Sequence, residues 1–411
     1  MGNRMSIPDA MSNPMGALAG AKPKKSADPD YKIPYEDLRE WIAQAEKLGE
    51  IRHVKGASWQ EDIGMAAELV QHDENAPCVI FDEVPGCKKG QRVLTNFFGG
   101  KRKNMTLGFP LHYSKLELSQ AFLDNYLREL KPIPHQFVET GPVLENAITG
   151  DAIDITKFPV PLWHEGDGGR YIGTGSYNIT IDPEEKWINV GTYRVMIHDK
   201  TSLGFYMSPG KHGRIHRDKY QARNEPMPVA IVVGGDPLQF LVACSEMPYG
   251  VCELDIAGGL RGKPVKVVRG KVTGLPIPAN AEMVIEGFVQ PGKRKLEGPF
   301  GEWTGYYGSD IREEPVLDIK AIHHRNDPII LGCPPQRPPE EQARYRAVTR
   351  SALIRKYIEQ AGVPDVTAVW AHEAGGSRLL LGVSIKQRHP GHVKQAGHMA
   401  ATCPACLTCP G

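Results

Sequence analysis

Apolar residues at Leu38, Trp41, Ile42, Ala45 and Leu48 recur every three or four positions, which places them on one face of a helix. Pro34 sits where the first turn of that helix tolerates it, and Gly49 ends it. The pattern then predicts a strand over 51–54, a second helix over 60–72 and an apolar strand over 78–81. Ser114 and Glu117 form a capping-box pair opening a helix that reaches about Leu130. Helix and strand alternate as in an α/β unit, and Pro132, Pro134 and Pro142 mark its boundary.

The middle third changes period. Residues 171–182, 187–198, 228–233, 240–244, 265–272, 283–289 and 316–323 all read as strands separated by Gly, Pro and Asp turns. Short strands with little helix between them predict an antiparallel barrel or sandwich. Beyond Pro334-Pro335 and Pro338-Pro339, a helix over 340–360 carries an apolar stripe of Tyr345, Val348, Ile354 and Ile358, and Gly362 stops it. Strands over 366–371 and 378–385 follow, as in the first part of a further α/β unit. Residues 1–30 show no periodicity and include the 22–25 basic run, the pattern of a disordered tail.

Composition narrows the class. The 49 Lys and Arg against 48 Asp and Glu leave a net charge of +1, which points to neither a nucleic acid nor a membrane surface as partner. No apolar run approaches the length of a bilayer span. Pro8, Asn13, Pro14 and Gly16 interrupt any secretory core at the N-terminus, and the eight cysteines, irregularly spaced over most of the chain, fit a reducing cytoplasm. The 44 glycines and 34 prolines suit a loop-rich β enzyme better than a helical bundle.

Candidate chemistry concentrates in the 297–308 segment, where Glu297 and Glu302 stand five residues apart among Gly298, Pro299, Gly301, Gly305 and Gly308. Such a loop lets backbone approach a ligand closely, and partial desolvation raises one carboxyl while a cation keeps the other ionised. The plainer reading is a tight turn with two solvated glutamates. Asn189 and Arg194 lie an odd number of residues apart, so strict alternation puts them on opposite strand faces. A bulge at Gly191 would bring them to one site; otherwise Arg194 is a surface cation. Lys211-His212 falls in a glycine-rich loop, and Glu253 follows a turn after Met247-Pro248. Asn189, His212 and Glu253 make a mixed nitrogen–oxygen donor set suited to Mn²⁺ or Mg²⁺, although a lone loop histidine is usually solvated.

Taken in order, these segments resemble the UbiD family of reversible decarboxylases, which use prenylated FMN (prFMN). The resemblance runs from about Pro34 to about Thr402. It rests on Trp187-Ile-Asn189 with Arg194, the His212 loop, Met247-Pro248 leading to Glu253, and Leu275-Pro-Ile-Pro-Ala-Asn-Ala-Glu282. Glu297-Gly-Pro-Phe-Gly-Glu302 and Ser384-Ile-Lys-Gln-Arg-His-Pro-Gly391 complete the set. It implies a multidomain α+β and α/β chain after the 1–30 tail: an N-terminal α/β domain over 31–140, a central split β-barrel flavin-binding domain over 141–333, and over 334–411 a linker helix with a partial C-terminal α/β oligomerisation domain.

The same resemblance implies residue roles. Asn189, His212 and Glu253 fall on the family's Mn²⁺ ligands, which hold the flavin phosphate through the metal. Arg194, Glu297 and Glu302 fall on its catalytic Glu-Arg-Glu network. The implied cofactor-binding set is Asn189, Thr192, Tyr193, Arg194, Lys211, His212, Ser245, Met247, Pro248, Glu253 and Lys394, with Lys394 near the phosphate and a K⁺ site. Lys211 and Glu246 depart from the neutral residue and the serine that the family often carries there.

The implied reaction is non-oxidative, reversible decarboxylation of an aromatic, heteroaromatic or α,β-unsaturated carboxylic acid. The flavin serves as electron sink, Glu302 as proton donor, and a flavin prenyltransferase as cofactor supplier. Trp303, Tyr306 and Tyr307 favour a flat aromatic substrate such as a hydroxylated benzoate. The expected assembly is a homodimer or higher homo-oligomer. Cys403, Cys406 and Cys409 lack a fourth ligand, so a truncated or frame-shifted ending is expected rather than a metal site, with poor solubility or weak oligomers as its consequence. Two alternatives stand beside the enzyme. The chain is a flavin-binding partner subunit or an inactive truncated homologue, or it is a split-barrel flavin oxidoreductase, for which no dinucleotide fingerprint is present.

Overall fold

The structure, a computed structural model, describes residues 32–128, 130–245, 247–403 and 405. The expectations for the 1–30 tail, Glu246, Cys406 and Cys409 lie outside them. Helix α1 (Leu38–Lys47) buries Leu38, Trp41, Ile42 and Ala45 as the spacing predicts. Its cap is Asp37, whose carboxylate accepts the Glu40 N–H, so Pro34 precedes the helix instead of opening it. Then come β1 (Ile51–Lys55), α2 (Asp62–His72), β2 (Cys78–Asp82), β3 (Arg92–Thr95) and α3 (Arg102–Leu107). The Ser114–Glu117 capping box opens α4 (Lys115–Phe122), which continues as a wider turn over Leu123–Leu127. The sheet of this layer has the order β1-β2-β3-β15. Its last strand, β15 (Ile329–Gly332), arrives from far along the chain and pairs parallel with β3.

The central sheet is antiparallel and curls on itself. It contains β5 (Asn146–Thr149), β6 (Tyr177–Ile181), β7 (Ile188–Gly191), β8 (Arg194–Ile197), β9 (Ser202–Tyr206), β10 (Met227–Val233), β13 (Met283–Glu297) and β14 (Arg312–His324). The order is β7-β6-β10-β13-β14-β9-β8, with β5 on β14. Strands β7 and β8 therefore occupy opposite edges although only Thr192 and Tyr193 separate them in the chain. That short link draws the two edges together into a split barrel. A small second sheet joins β12 (Pro276–Pro278), β11 (Lys266–Arg269) and β4 (Gln136–Phe137).

Three expectations for this region are corrected. The strand expected over 187–198 is two strands, because the chain leaves one sheet edge and enters the other. The strand expected over 240–244 is helix α6 (Pro237–Ala243), capped by Asp236, which accepts the Leu238 N–H at 2.8 Å. A short, fully apolar run suits a buried helix as well as a strand, and the Asp-Pro start decides for helix. The glycine-rich loop expected around His212 is the first turn of α5 (His212–Ala222). Helix α7 (Glu253–Arg261) likewise begins at the expected acid.

Helix α8 (Glu341–Gln360) follows the prolines, with Tyr345, Val348, Ile354 and Ile358 all buried. Strands β16 (Val366–Ala371) and β17 (Leu381–Ile385) pair with each other, and α9 (His392–Ala401) completes the segment. Ile354, Ile358, Val366, Val369, Ala396 and Ala400 form a core of their own there. The chain is thus a multidomain α+β protein with a curled central sheet. Among the described residues, no helix is long and apolar enough to cross a membrane.

Candidate active site

A cavity of about 640 Å³ opens where β7 and β8 meet, bounded by α5, α6, α7, the 300–303 loop and α8. Its size lies within the range of small-molecule and cofactor sites. Asn189 and Arg194 both line it. No bulge at Gly191 is needed, because the two residues belong to strands at opposite sheet edges.

At one end the Arg194 guanidinium donates to Glu297 Oε2 at 2.6 Å and to Glu302 Oε1 at 3.3 Å. Its carbon lies 4.5 Å from the centre of the Tyr206 ring and 5.4 Å from that of Phe300. Burial works against the guanidinium charge, but Glu297, with smaller help from Tyr171 and Glu302, holds the Arg194 pKa above its ordinary value. Burial raises the Glu302 carboxyl above the usual range, against the pull of Arg194, Arg378 and Arg312. One glutamate is thus a buried partner of the arginine and the other a half-buried carboxyl disposed to carry a proton.

The loop bearing these acids rests on residues 163–171. Gly168 N–H donates to Pro299 O at 2.8 Å, Gly301 N–H to Asp167 Oδ1 at 2.9 Å, and Gly166 N–H to the Tyr307 hydroxyl at 2.9 Å. The Tyr171 hydroxyl donates to Glu297 Oε1 at 2.9 Å, and its ring lies 4.0 Å from that of Phe300. The contact is backbone to backbone: a methyl group on Gly168 would fall 1.9 Å from Gly298 O.

The other end gathers the expected metal and phosphate residues. The Asn189 amide NH₂ is committed to Thr180 Oγ1 and the Tyr193 hydroxyl, which leaves its carbonyl oxygen as the free donor atom. Burial and neighbouring Lys211 lower the His212 pKa, which favours the neutral, ligating imidazole. Glu253 is 5% exposed, and burial pushes it up to about 8 against the backbone N–H groups of Val190 and of Glu253 itself that it accepts. A divalent cation would neutralise that carboxylate, and the donor set of amide oxygen, imidazole and carboxylate fits Mn²⁺ or Mg²⁺. The N-termini of α5 and α7 open on the same space beside Lys211, a setting that favours a phosphate.

Thr192, Tyr193, Lys211, Ser245 and Met247 line the cavity as expected. Pro248 and Lys394 do not. Lys394 is exposed because α9 turns His392, Ala396 and Ala400 inward, and position 394 falls on another face. Sequence reasoning missed Arg346 and Arg350 of α8, Arg378, and the Tyr171 support of Glu297. The four-residue spacing of Gln342, Arg346 and Arg350 was a usable signal, since it sets one polar helix face toward the cavity. Nothing local marks Tyr171.

Comparison with known proteins agrees with this geometry. Residues 136–338 match the 3-octaprenyl-4-hydroxybenzoate carboxy-lyase Rift-related domain of UbiD, and residues 345–408 match the C-terminal domain of the same family. A pyrrole-2-carboxylic acid decarboxylase of Pseudomonas aeruginosa is 31% identical over 361 residues, 85% of this chain and 72% of the relative. A phenolic acid decarboxylase of Bacillus subtilis is 31% identical over 377 residues, 90% and 78% of the two chains. An evolved dimeric UbiD-class enzyme from Pelotomaculum thermopropionicum in complex with prFMN superposes with a TM-score of 0.80 at 29% identity, covering 89% of this chain and 83% of that one. The vanillic acid decarboxylase of Sedimentibacter hydroxybenzoicus in its open form gives 0.81 at 30% identity, covering 91% and 79%. The cavity is lined mainly by the first matched domain and α8, with Arg378 beyond them, and the chain belongs to the UbiD family of carboxy-lyases.

Proposed function

We propose that this chain decarboxylates a flat aromatic or heteroaromatic carboxylic acid, reversibly and without net oxidation, with prFMN held in the cavity between β7, β8 and α8. The observation that carries the reading is Arg194 reaching both Glu297 and Glu302 at the wall of that cavity. Asn189, His212 and Glu253 would hold Mn²⁺ or Mg²⁺, and with it the cofactor phosphate, beside Lys211 and the two helix N-termini. Where bound, prFMN supplies the electron sink for the carbon that loses CO₂.

The protein's share is position and protons. Arg194 and Tyr171 hold the two oxygens of Glu297, which fixes the guanidinium against the Tyr206 and Phe300 rings. Glu302, kept protonatable by burial, delivers its proton to the substrate carbon after the C–C bond to CO₂ breaks, and solvent returns a proton to it. Phe300, Trp303 and Tyr206 supply aromatic wall for a ring to stack on. The relatives named for pyrrole-2-carboxylic and phenolic acids support that substrate class. A flavin prenyltransferase supplies the cofactor, and the homo-oligomer and the cytoplasm remain the expected setting.

The test is co-expression with a flavin prenyltransferase, followed by CO₂ release and solvent deuterium incorporation on a panel of aromatic acids. Glu302→Gln should keep its flavin and lose turnover; near-wild-type turnover excludes Glu302 as the donor. Activity on cinnamate-type acids alone sinks the aromatic preference. Flavin loading without turnover on any acid replaces the enzyme reading with that of a partner subunit.

A further inference from the structure

His164 sits beneath the acid loop with an acceptor on each ring nitrogen. Its Nδ1 is 3.0 Å from Asp167 Oδ2, and its Nε2 is 3.0 Å from the Pro335 carbonyl oxygen. A neutral imidazole carries one N–H and satisfies only one of these acceptors; both contacts are hydrogen bonds only for the imidazolium. The Asp167 carboxylate, wholly buried at its side chain, also accepts the Gly301 N–H, one residue before Glu302. The His164 ring lies 5.8 Å from that of Phe300, and a methyl group on Gly301 would fall 2.6 Å from His164 Nδ1. Three stretches far apart in sequence are joined by this one side-chain pair: residues 163–171, the acid loop, and the proline-rich linker leading to α8.

We propose that His164 and Asp167 are positioning residues that fix the Glu302 loop to the 333–339 linker, and that this clamp is complete only while His164 holds both ring protons. Neither residue touches the cavity. They act through Gly301, whose amide sets the direction in which the chain enters Glu302. Misplacing an acid by about 1 Å costs on the order of a hundredfold in rate, so a clamp on the residue next to it has leverage on turnover.

The groups facing His164 agree in sign. Asp167 comes from its own segment and Glu68 from α2, while Pro335 contributes a carbonyl and the acid loop an uncharged ring. Burial opposes the imidazolium, but Asp167, the Pro335 carbonyl and Glu68 together outweigh it, and the pKa stands above the ordinary histidine value. The clamp is therefore present below that raised pKa and is lost as pH rises through it.

The inference rests on Glu302 being the proton donor, yet its test reads the clamp separately from the reaction. In the full-length chain labelled with ¹⁵N-histidine, the His164 signals are identified by their loss in His164→Gln. Both ring nitrogens should be protonated at pH 7, and Asp167→Asn should lower the pH at which His164 titrates. The same variant should speed hydrogen exchange at the Gly301 amide roughly tenfold. In the flavin-loaded enzyme it should lower kcat at least about tenfold with KM and flavin affinity held. A His164 carrying a single ring proton at pH 7 overturns the proposal, as does Gly301 exchange unaffected by Asp167→Asn. If the NMR and exchange results hold and no acid is turned over by any form, the clamp stands and the functional reading fails.

Discussion

The Tyr171 hydroxyl and the Arg194 guanidinium hold opposite oxygens of one buried carboxylate, at 2.9 Å to Oε1 and 2.6 Å to Oε2 of Glu297. Glu297 is thereby fixed from two sides, whereas Glu302 meets Arg194 through one oxygen, at 3.3 Å. Tyr171→Phe keeps the ring on Phe300 and removes one hydrogen bond to a carboxylate, a loss of about 1.5–3 kcal/mol in such settings. The expected outcome is a fall in kcat of about tenfold to a hundredfold with flavin content unchanged. A kcat within twofold of wild type would show that Arg194 alone suffices to hold Glu297.

The pH dependence follows from the charges around Glu302. As the proposed donor, Glu302 must be protonated, so kcat should fall as pH rises past its raised pKa. Arg378 is one of the cations that oppose that rise, and its guanidinium lies 4.6 Å from the centre of the Trp303 ring. Arg378→Met removes a cation that favours the carboxylate, so the alkaline limb of the kcat profile should move to higher pH. A limb that stays in place or moves to lower pH contradicts this account of Glu302.

Removing a proposed metal ligand should act on occupancy before chemistry. His212→Ala and Glu253→Ala should each lower bound Mn and bound flavin together, measured by elemental analysis and absorbance, while the fold persists by circular dichroism. Dialysis against a chelator should reproduce the loss in the wild type. Metal and flavin content unaffected in both variants would remove Asn189, His212 and Glu253 from the assignment.

Gly168→Ala tests the backbone contact under the acid loop. The added carbon meets the Gly298 carbonyl at 1.9 Å, and a carbonyl is not the end of a flexible side chain. The variant should lose at least about 2 kcal/mol of stability by urea denaturation, in the range of strained substitutions. A midpoint within experimental scatter of wild type would mean that the 163–171 and 297–308 segments separate at little cost.

Much of the fold was legible where periodicity acts locally. The α1 stripe, the Ser114–Glu117 box and the proline-flanked α8 are each fixed by neighbours within a turn or two. The apolar run at 240–244 was not, since its burial on every side erases the period and leaves only Asp236-Pro237 to speak for a helix. The acids Glu297 and Glu302 stood out because the density of glycine and proline around them marks a loop whose backbone is approached closely, as Gly301 is by His164. That Asn189 and Arg194 line one cavity was hidden, because closure of a sheet depends on strand order and not on the four residues between them. The His164–Asp167 pair was hidden as well: a three-residue spacing in a loop carries no information until Pro335 and Gly301 arrive from elsewhere.

The return of β15 to the first sheet bears on how this chain can be made and cut. The amino-terminal layer cannot finish its hydrogen-bond ladder until some 230 residues beyond β3 have been synthesised, since Arg92 pairs with Ile329. A fragment ending near residue 140 would present β3 as an open edge with Val93 and Leu94 uncovered, the kind of edge that recruits other chains. During synthesis the first layer must wait for the barrel, so nascent chains are most vulnerable to aggregation while the cavity is being built.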